Sequence, residues 1–524
     1  MQWLCGVGVY LTDEPRLLSH PELVVGIAGP IGIDVEAMAA EIGRALSIVN
    51  YGNEVVRVTD LMTAYPAPDV IQEGPDYFST MNFKMDYANK LCELADDPEF
   101  LMRIAIEGIQ AARRSVLKKQ RSSAQVAAQT AYIIRQLKRP DEVRLMRRVY
   151  GKQFILVSGY GSEHHRRERI IEKGKASLPL STPQPQIDES ASAILIRDHD
   201  EGRSKHGQHL RDTFHLADVF VDGINRDQMR TGIDRFFQAF FGRVDIGPTK
   251  IEYGMYAAKA ASLRSTDLSR QVGAAAFTEE GELVAQGCNE VPRAFGGTYW
   301  FGEEPDYRDV RLGYDPNDTL KKDVIRDLLE RLCNGGLLTD CDQSTVASDK
   351  FVEELLGRGE SGADHHGCLV DSQIGDLTEY ARVVHAEMVT ICDAARLGKE
   401  LKNSILYVTT FPCHNCTKHI LAAGIKKVFY LEPYPKSRAK QLHSHEIEIE
   451  KASASKVSFL PFLGISPFRY RDIFEKGSRK TGGVARTWYA RDDKPRPLVP
   501  RSLPSYIEME SVEVDEMYGK FRLC

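Results

Sequence analysis

VVHAEMVTICDAARLGKELKNSILYVTTFPCHNC, residues 383–416, decides how this chain is read. A His-Ala-Glu tripeptide (385–387) opens a helical run through 385–398, and an apolar strand SILYVTT (404–410) follows. Pro412 then precedes a Cys-x-x-Cys pair, Cys413 and Cys416, which opens a second helical run at about 414–424. A further strand, KKVFYLE (426–432), comes next. One His and two Cys supply three zinc ligands, and three protein ligands leave the fourth tetrahedral position to water, as in a catalytic rather than a structural site. Zinc in such a site lowers the pKa of its water to around 7. Glu387, two residues beyond the His, is placed to shuttle protons without binding metal. By itself a Cys-x-x-Cys pair also suits a structural zinc half-site or a redox dithiol. A redox dithiol has no need of the His-Ala-Glu, and the two motifs together are much rarer than either alone, so the combination favours the catalytic site.

Outward from this core, residues 251–264 read as a helix and QVGAAAFTEEGELVAQGCNE (271–290) as two apolar strands around a Glu-Gly turn. The result is a three-layer α/β/α domain over 246–436, interrupted by a polar insertion at about 302–377 that is too irregular to assign. Within it, His365, His366 and Cys368, with Cys333 and Cys341, are candidates for a second zinc site, although their spacing fits no common structural site. Residues 437–524 read as a C-terminal extension, with KPRPLVPRSLP (494–504) extended.

Upstream, LVVGIAGPIG (23–32) is a short apolar strand breaking into a glycine-rich turn before an amphipathic helix at 34–49. Apolar segments at Gly151–Ser158 and Ala193–Ile196 alternate with helical patterns at 84–94, 101–118 and 123–138, and KGKASLPLSTPQPQ (173–186) reads as a surface loop. Residues 1–245 therefore form an α/β domain with a mostly parallel sheet, similar to P-loop NTPases but with a degenerate Walker loop. Gly26, Gly29 and Gly32 are its candidate nucleotide-binding residues. Ile33 and Asp34 stand where a Walker loop needs Lys and Ser/Thr, which removes phosphotransfer. Backbone N–H groups at the helix start can still cradle an anion, and the alternative is a packed turn.

Sixty-eight basic against 74 acidic side chains give a net charge of −6, which disfavours non-specific nucleic-acid binding. No apolar run reaches the roughly 18 residues of a transmembrane helix, and MQWLCGVGVYLTDEPR lacks a secretory pattern. Ten cysteines in 524 residues are too sparse for a disulfide scaffold. The expectation is a cytoplasmic protein with free thiols and no membrane association.

The H-x-E…P-C-x-x-C pattern is the signature of zinc nucleobase deaminases. With ASLRSTDLSRQVGAAAF, GCNEVP, VVHAEMVTICDAAR and LYVTTFPCHNCTKHILAAGIKKVFYLEPYPKS, the second domain resembles the deoxycytidylate deaminases. That resemblance implies zinc (Zn2+) on His385, Cys413 and Cys416, and proton transfer by Glu387. It also places Asn289 on the sugar 3′-hydroxyl and Arg264 and Arg270 near the substrate phosphate; Lys436, in the PYPKS segment that sets the chain apart from ordinary monophosphate deaminases, is a further candidate phosphate cation. Over nearly the whole chain, GIAGPIG, RQLKRPDEVRLMRRVYGKQFILVSGY, PYPKS and PFLGISPFRYRDIF make it similar to the bacterial anti-phage dCTP deaminases. This wider resemblance implies deamination of free deoxycytidine nucleotides (dCTP, also dCMP), depletion of the dCTP pool during infection, and homo-oligomerisation. A reading of a different class, compatible with catalysis, makes the N-terminal domain a regulatory module that binds a nucleotide or an inhibitory RNA and holds the deaminase silent until infection. The rival activity is deamination of cytosine in single-stranded DNA or RNA, which needs a basic channel with exposed aromatics. A second rival is a housekeeping dCMP deaminase with a regulatory N-terminal domain.

Overall fold

The computed structural model describes residues 18–70, 74–199, 201, 207, 209–338, 348–358, 367–370, 372–377, 379–488, 495–500 and 504–522. The chain divides into two units, residues 1–252 with 463–524, and residues 253–462.

The first unit is built on a six-stranded sheet. β1 (Leu23–Ala28), β2 (Gly52–Val56), β3 (Thr130–Leu137), β4 (Phe154–Tyr160) and β5 (Val219–Asp222) are parallel in the order β5-β4-β1-β3-β2, and Gly464–Ile465 pairs antiparallel with the free edge of β5. β1 is buried at every position, as a central parallel strand covered on both faces requires. The helix Val35–Ile48 starts at Asp34, whose carboxylate caps the Ala37 N–H. The chain leaves β1 toward β2 on one side and continues to β4 on the other, so the glycine turn stands at a topological switch point.

Two expectations change here. The helical pattern at 123–138 is broken by β3, the buried neighbour of β1, because its run TAYIIRQL is short, partly β-branched and satisfied on both sides by parallel partners. Ala193–Ile196 is no strand but the end of the helix Gln184–His199, whose buried Ile187, Ala191, Ile194 and Leu195 keep helical spacing.

The extension expected at 437–524 is also divided. Its first part completes the second unit's sheet, and its remainder belongs to the first unit. There the Arg469 guanidinium donates to the Asp218 carboxylate at 2.9 Å and to the Phe154 carbonyl at 2.7 Å. The terminal helix Tyr506–Arg522 lies against Phe100–Lys119 through Arg113, which donates to buried Glu510 at 2.6 and 2.7 Å and to Glu22 at 2.9 Å. Arg113 is thus a buried counter-ion and not part of a solvated basic face.

The second unit also has a six-stranded sheet. β6 (Gly273–Phe277) and β7 (Leu283–Cys288) form the predicted antiparallel hairpin, β8 (Ile405–Thr410) pairs antiparallel with β6, and β9 (Lys427–Glu432), β10 (Ile447–Ile449) and β11 (Val457–Pro461) continue it in the order β10-β11-β9-β8-β6-β7. Its core is small on the β6 side, with Ala274, Ala276 and Ala285, and larger toward Leu406, Val428 and Phe459. The 302–377 insertion contains the helices Asp309–Leu312, Pro316–Asn334 and Asp349–Leu355. Among the described residues no helix is long and apolar enough to cross a membrane.

Candidate functional site

His385 is the N-cap of the helix Ala386–Arg396, and Cys413 is the N-cap of His414–Ala422. Two helix N-termini, with their unpaired N–H groups and partial positive charge, therefore meet at the same place, a setting that favours thiolate. β8 delivers the Cys413 turn. The first helix reaches its position by packing on β7, where Gly287 is required: a Cβ there would lie 2.7 Å from Val389. Antiparallel bonds between Glu290 and Val384 (3.2 and 3.1 Å) tie the chain entering His385 to the end of the hairpin.

The Sγ atoms of Cys413 and Cys416 each lie 3.4 Å from His385 Nδ1, and all three ligand atoms lie within 4.8 Å of one another. Around a tetrahedral ion with Zn–S near 2.3 Å and Zn–N near 2.0 Å, nitrogen and sulfur ligands stand about 3.5 Å apart, so the donor set fits zinc. The electrostatics agree. The Cys413 thiol is drawn down to about 4, chiefly by the hydrogen bond from Cys416 and next by that from His385. His385 is raised to about 9 by its hydrogen bond to Cys413, and Cys416 is pushed well up by donating to that same sulfur. A half-buried thiolate between two helix N-termini is a place for a cation. Glu387, 4% exposed, lies beside it, and burial raises its carboxyl above the ordinary range, with the Cys413 thiolate adding to the shift.

His385, Glu387 and Cys413 face a cavity of about 340 Å³ that also receives Arg270, Asn289, Tyr434 and Lys436. Arg270 lies over the Tyr434 ring at 5.7 Å. Lys436 Nζ is 2.6 Å from the Asp376 carboxylate. Asn289 borders the cavity, but its amide is committed to the protein: Oδ1 accepts from the Val272 N–H and Nδ2 donates to the Arg270 carbonyl, both at 2.8 Å. Arg264 is not at this cavity. Its guanidinium donates to Cys288 Sγ and Thr298 Oγ1 and stacks on Trp300 in a separate cleft, and Thr266 turns its N–H and hydroxyl to Glu290. Hydrogen bonding to the hairpin end outcompetes the expected phosphate-facing position.

Sequence reasoning missed the contribution of the insertion. Asn317 donates to the Leu377 carbonyl at 3.0 Å and accepts from the Tyr380 N–H at 3.2 Å, and Lys321 donates to the Gly375 carbonyl at 3.1 Å. Asn317 and Lys321, near the start of Pro316–Asn334, thereby hold Gly375, Asp376 and Leu377 in the cavity wall. No periodicity could reveal this, because the contacts are polar side chains to irregular backbone.

Of the second-zinc candidates, His365, His366 and Cys341 lie outside the described residues. Cys368 is exposed with a free thiol, and Cys333 is disulfide-bonded, contrary to the free thiols expected. Among the described residues His385, Cys413 and Cys416 form the one metal-holding cluster.

In the first unit, Gly26 lies inside β1, paired with both β3 and β4. The Gly29 carbonyl accepts from Lys138 Nζ at 2.8 Å, and Gly32, at φ +95°, lies against the Arg166 backbone. The Ile31 N–H donates to the buried Asp198 carboxylate at 2.6 Å, Ile33 N–H to Pro30 and Asp34 N–H to Gly223. Three N–H donors of the glycine turn are thus spent inside the protein, one of them on the Asp198 carboxylate.

Residues 248–432 match the cytidine and deoxycytidylate deaminase zinc-binding region. The chain is 44% identical over 98 residues to ComE operon protein 2 of Bacillus subtilis (strain 168), covering 17% of this chain and 48% of that protein. It is 44% identical over 55 residues to the deoxycytidylate deaminase of Enterobacteria phage T4 (10% and 28%) and 39% over 54 residues to the deoxycytidylate deaminase of Homo sapiens (10% and 29%). The matches thus span about half of the first of these relatives and under a third of the other two. Among solved structures, the dCMP deaminase from cyanophage S-TIM5 in complex with dCMP and dUMP is 17% identical with a TM-score of 0.23, covering 42% of this chain and all of that one. The zinc donors and Glu387 fall inside the matched deaminase region.

Proposed function

We propose that the second unit hydrolyses the 4-amino group of free deoxycytidine nucleotides, dCTP and dCMP, to the deoxyuridine nucleotide and ammonia. The observation that carries this reading is the cluster of His385, Cys413 and Cys416 with buried Glu387, of which His385, Cys413 and Glu387 line one cavity, within the stretch matched by the deaminase zinc-binding region. Zinc held by His385 Nδ1 and the two Sγ atoms supplies, when bound, a water of lowered pKa at its open position. The remaining work falls to the chain. Glu387, whose carboxyl burial raises above its ordinary range, takes one proton from the attacking water and delivers it to ring N3, then takes the second proton from the added oxygen and gives it to the leaving amine. Asn289 fixes the backbone on either side of Gln271 and so the approach of Arg270, whose guanidinium forms no ion pair among the described residues and remains free for phosphate. The cavity, at about 340 Å³, suits a nucleoside-sized ligand.

The wider sequence resemblance extends the proposal to depletion of dCTP during phage infection by a cytoplasmic homo-oligomer. The deciding experiment incubates the zinc-loaded protein with each cytosine nucleotide, with deoxycytidine and with a cytosine-containing oligonucleotide, and follows uracil products by chromatography. Conversion of free nucleotides is expected. Conversion of the oligonucleotide alone overturns the proposal.

A further inference from the structure

The polar groups around the cavity mouth are unequal in what they have left to offer. Its walls carry three basic side chains, Arg270, Lys321 and Lys436, against five acidic ones, Asp267, Asp309, Asp315, Asp376 and Glu387. Four of the acids are accounted for. Asp309 pairs with Arg382 at 2.8 Å. Asp315 caps the helix Pro316–Asn334 through the Asn317 N–H. Asp267 accepts from the Ser269 and Arg270 N–H groups, and Glu387 is the buried proton carrier. Asp376 differs. It ends the short turn Gln373–Asp376 of the insertion, and its carboxylate is spent on a cation of the rim, Lys436, at 2.6 Å. The pair is half-exposed, with side-chain exposures of 35% and 51%. An ion pair so exposed is worth little and exchanges readily for another anion.

Resting on the nucleotide-deaminase reading above, we propose that Asp376 is a charge gate for substrate selection: its carboxylate holds Lys436 in place of a phosphate and yields it to an incoming nucleotide in proportion to that nucleotide's negative charge. The cation belongs to the segment after β9, whereas the competing carboxylate is supplied by the insertion. The 302–377 segment thereby sets which phosphorylation state of the substrate binds. A neutral nucleoside gains nothing from displacing Asp376. A triphosphate both repels it most and replaces it best.

The test is steady-state kinetics of the full-length, zinc-loaded protein and its Asp376→Asn variant on deoxycytidine, dCMP and dCTP. Removing one negative charge at a water-exposed rim is expected to lower KM for dCTP about three- to tenfold, for dCMP by less, and for deoxycytidine not at all, with kcat within about twofold throughout. Asp376→Ala should give the same charge ranking, which separates loss of charge from loss of a particular contact. Adding Lys436→Ala to Asp376→Asn should erase most of the gain, because the two act on one another. A KM change of equal size for all three ligands, or none for any, overturns the gate while leaving the deaminase reading intact. A wild-type protein that converts none of them overturns both.

Discussion

Replacing Asn289 with alanine separates two jobs that this side chain could perform, holding the backbone or holding the substrate sugar. The structure commits its amide to two hydrogen bonds of 2.8 Å, accepting from the Val272 N–H and donating to the Arg270 carbonyl. The side chain is 6% exposed, so water cannot fully take over either bond. At about 0.5–1.5 kcal/mol net for each bond, Asn289→Ala should cost the second unit about 1–3 kcal/mol. With a urea dependence of roughly 1–3 kcal/mol per molar, the unfolding midpoint should fall by on the order of 1 M. The loosened segment carries Arg270 into the cavity and leads directly into β6, so KM for the nucleotide should rise along with the loss of stability. Urea titration followed by circular dichroism, with kinetics on the same preparations, reads both. A variant whose stability stays within about 0.5 kcal/mol of wild type while turnover disappears would refute the scaffold argument and return Asn289 to direct substrate contact.

Glu387→Ala should retain zinc and fold yet lose at least the 10²–10⁴-fold typical of a general acid–base group; ammonia release within tenfold of wild type removes Glu387 from the mechanism. Cys413→Ala and Cys416→Ala should each lose metal as well as activity, since two protein ligands are too few for a tetrahedral site, and a full zinc complement by elemental analysis contradicts the ligand set. The first unit should transfer no labelled phosphate from ATP to nucleosides or nucleotides, because Ile33 and Asp34 stand where a Walker loop needs Lys and Ser/Thr, and the Ile31, Ile33 and Asp34 N–H groups are spent on Asp198, Pro30 and Gly223; detectable transfer refutes this. Glu41 is held down to about 2 by its hydrogen bonds from Arg230, Arg44 and Arg226. A carboxyl lowered in the folded state stabilises above its ordinary value near 4.5 and loses that contribution as pH falls toward 2. Glu41→Gln should therefore reduce stability at neutral pH and flatten its decline in acid, as read by thermal unfolding between pH 7 and 3.

The parts of this protein legible in its sequence were those in which chemistry and spacing are both local. His385 with Glu387, and Cys413 with Cys416, lie within a turn of each other at the starts of two helices, so the donor types and the helix N-termini could be inferred together. The β6–β7 hairpin was legible for the same reason, because strand, turn and strand are contiguous. Tertiary structure decided whatever depended on partners distant along the chain. The segment 130–137 became a strand because β1 and β2 lie on either side of it, not through its own periodicity. Asp198 fills the glycine turn from 167 residues away, and Arg264 is drawn to Thr298 and Trp300 and away from the cavity that its neighbours suggested. Asp376 meets Lys436 across 60 residues that include the catalytic motifs themselves. An ionised side chain buried or half-buried in a fold takes whichever counter-charge the packing brings within about 3 Å, and sequence spacing carries no record of that choice.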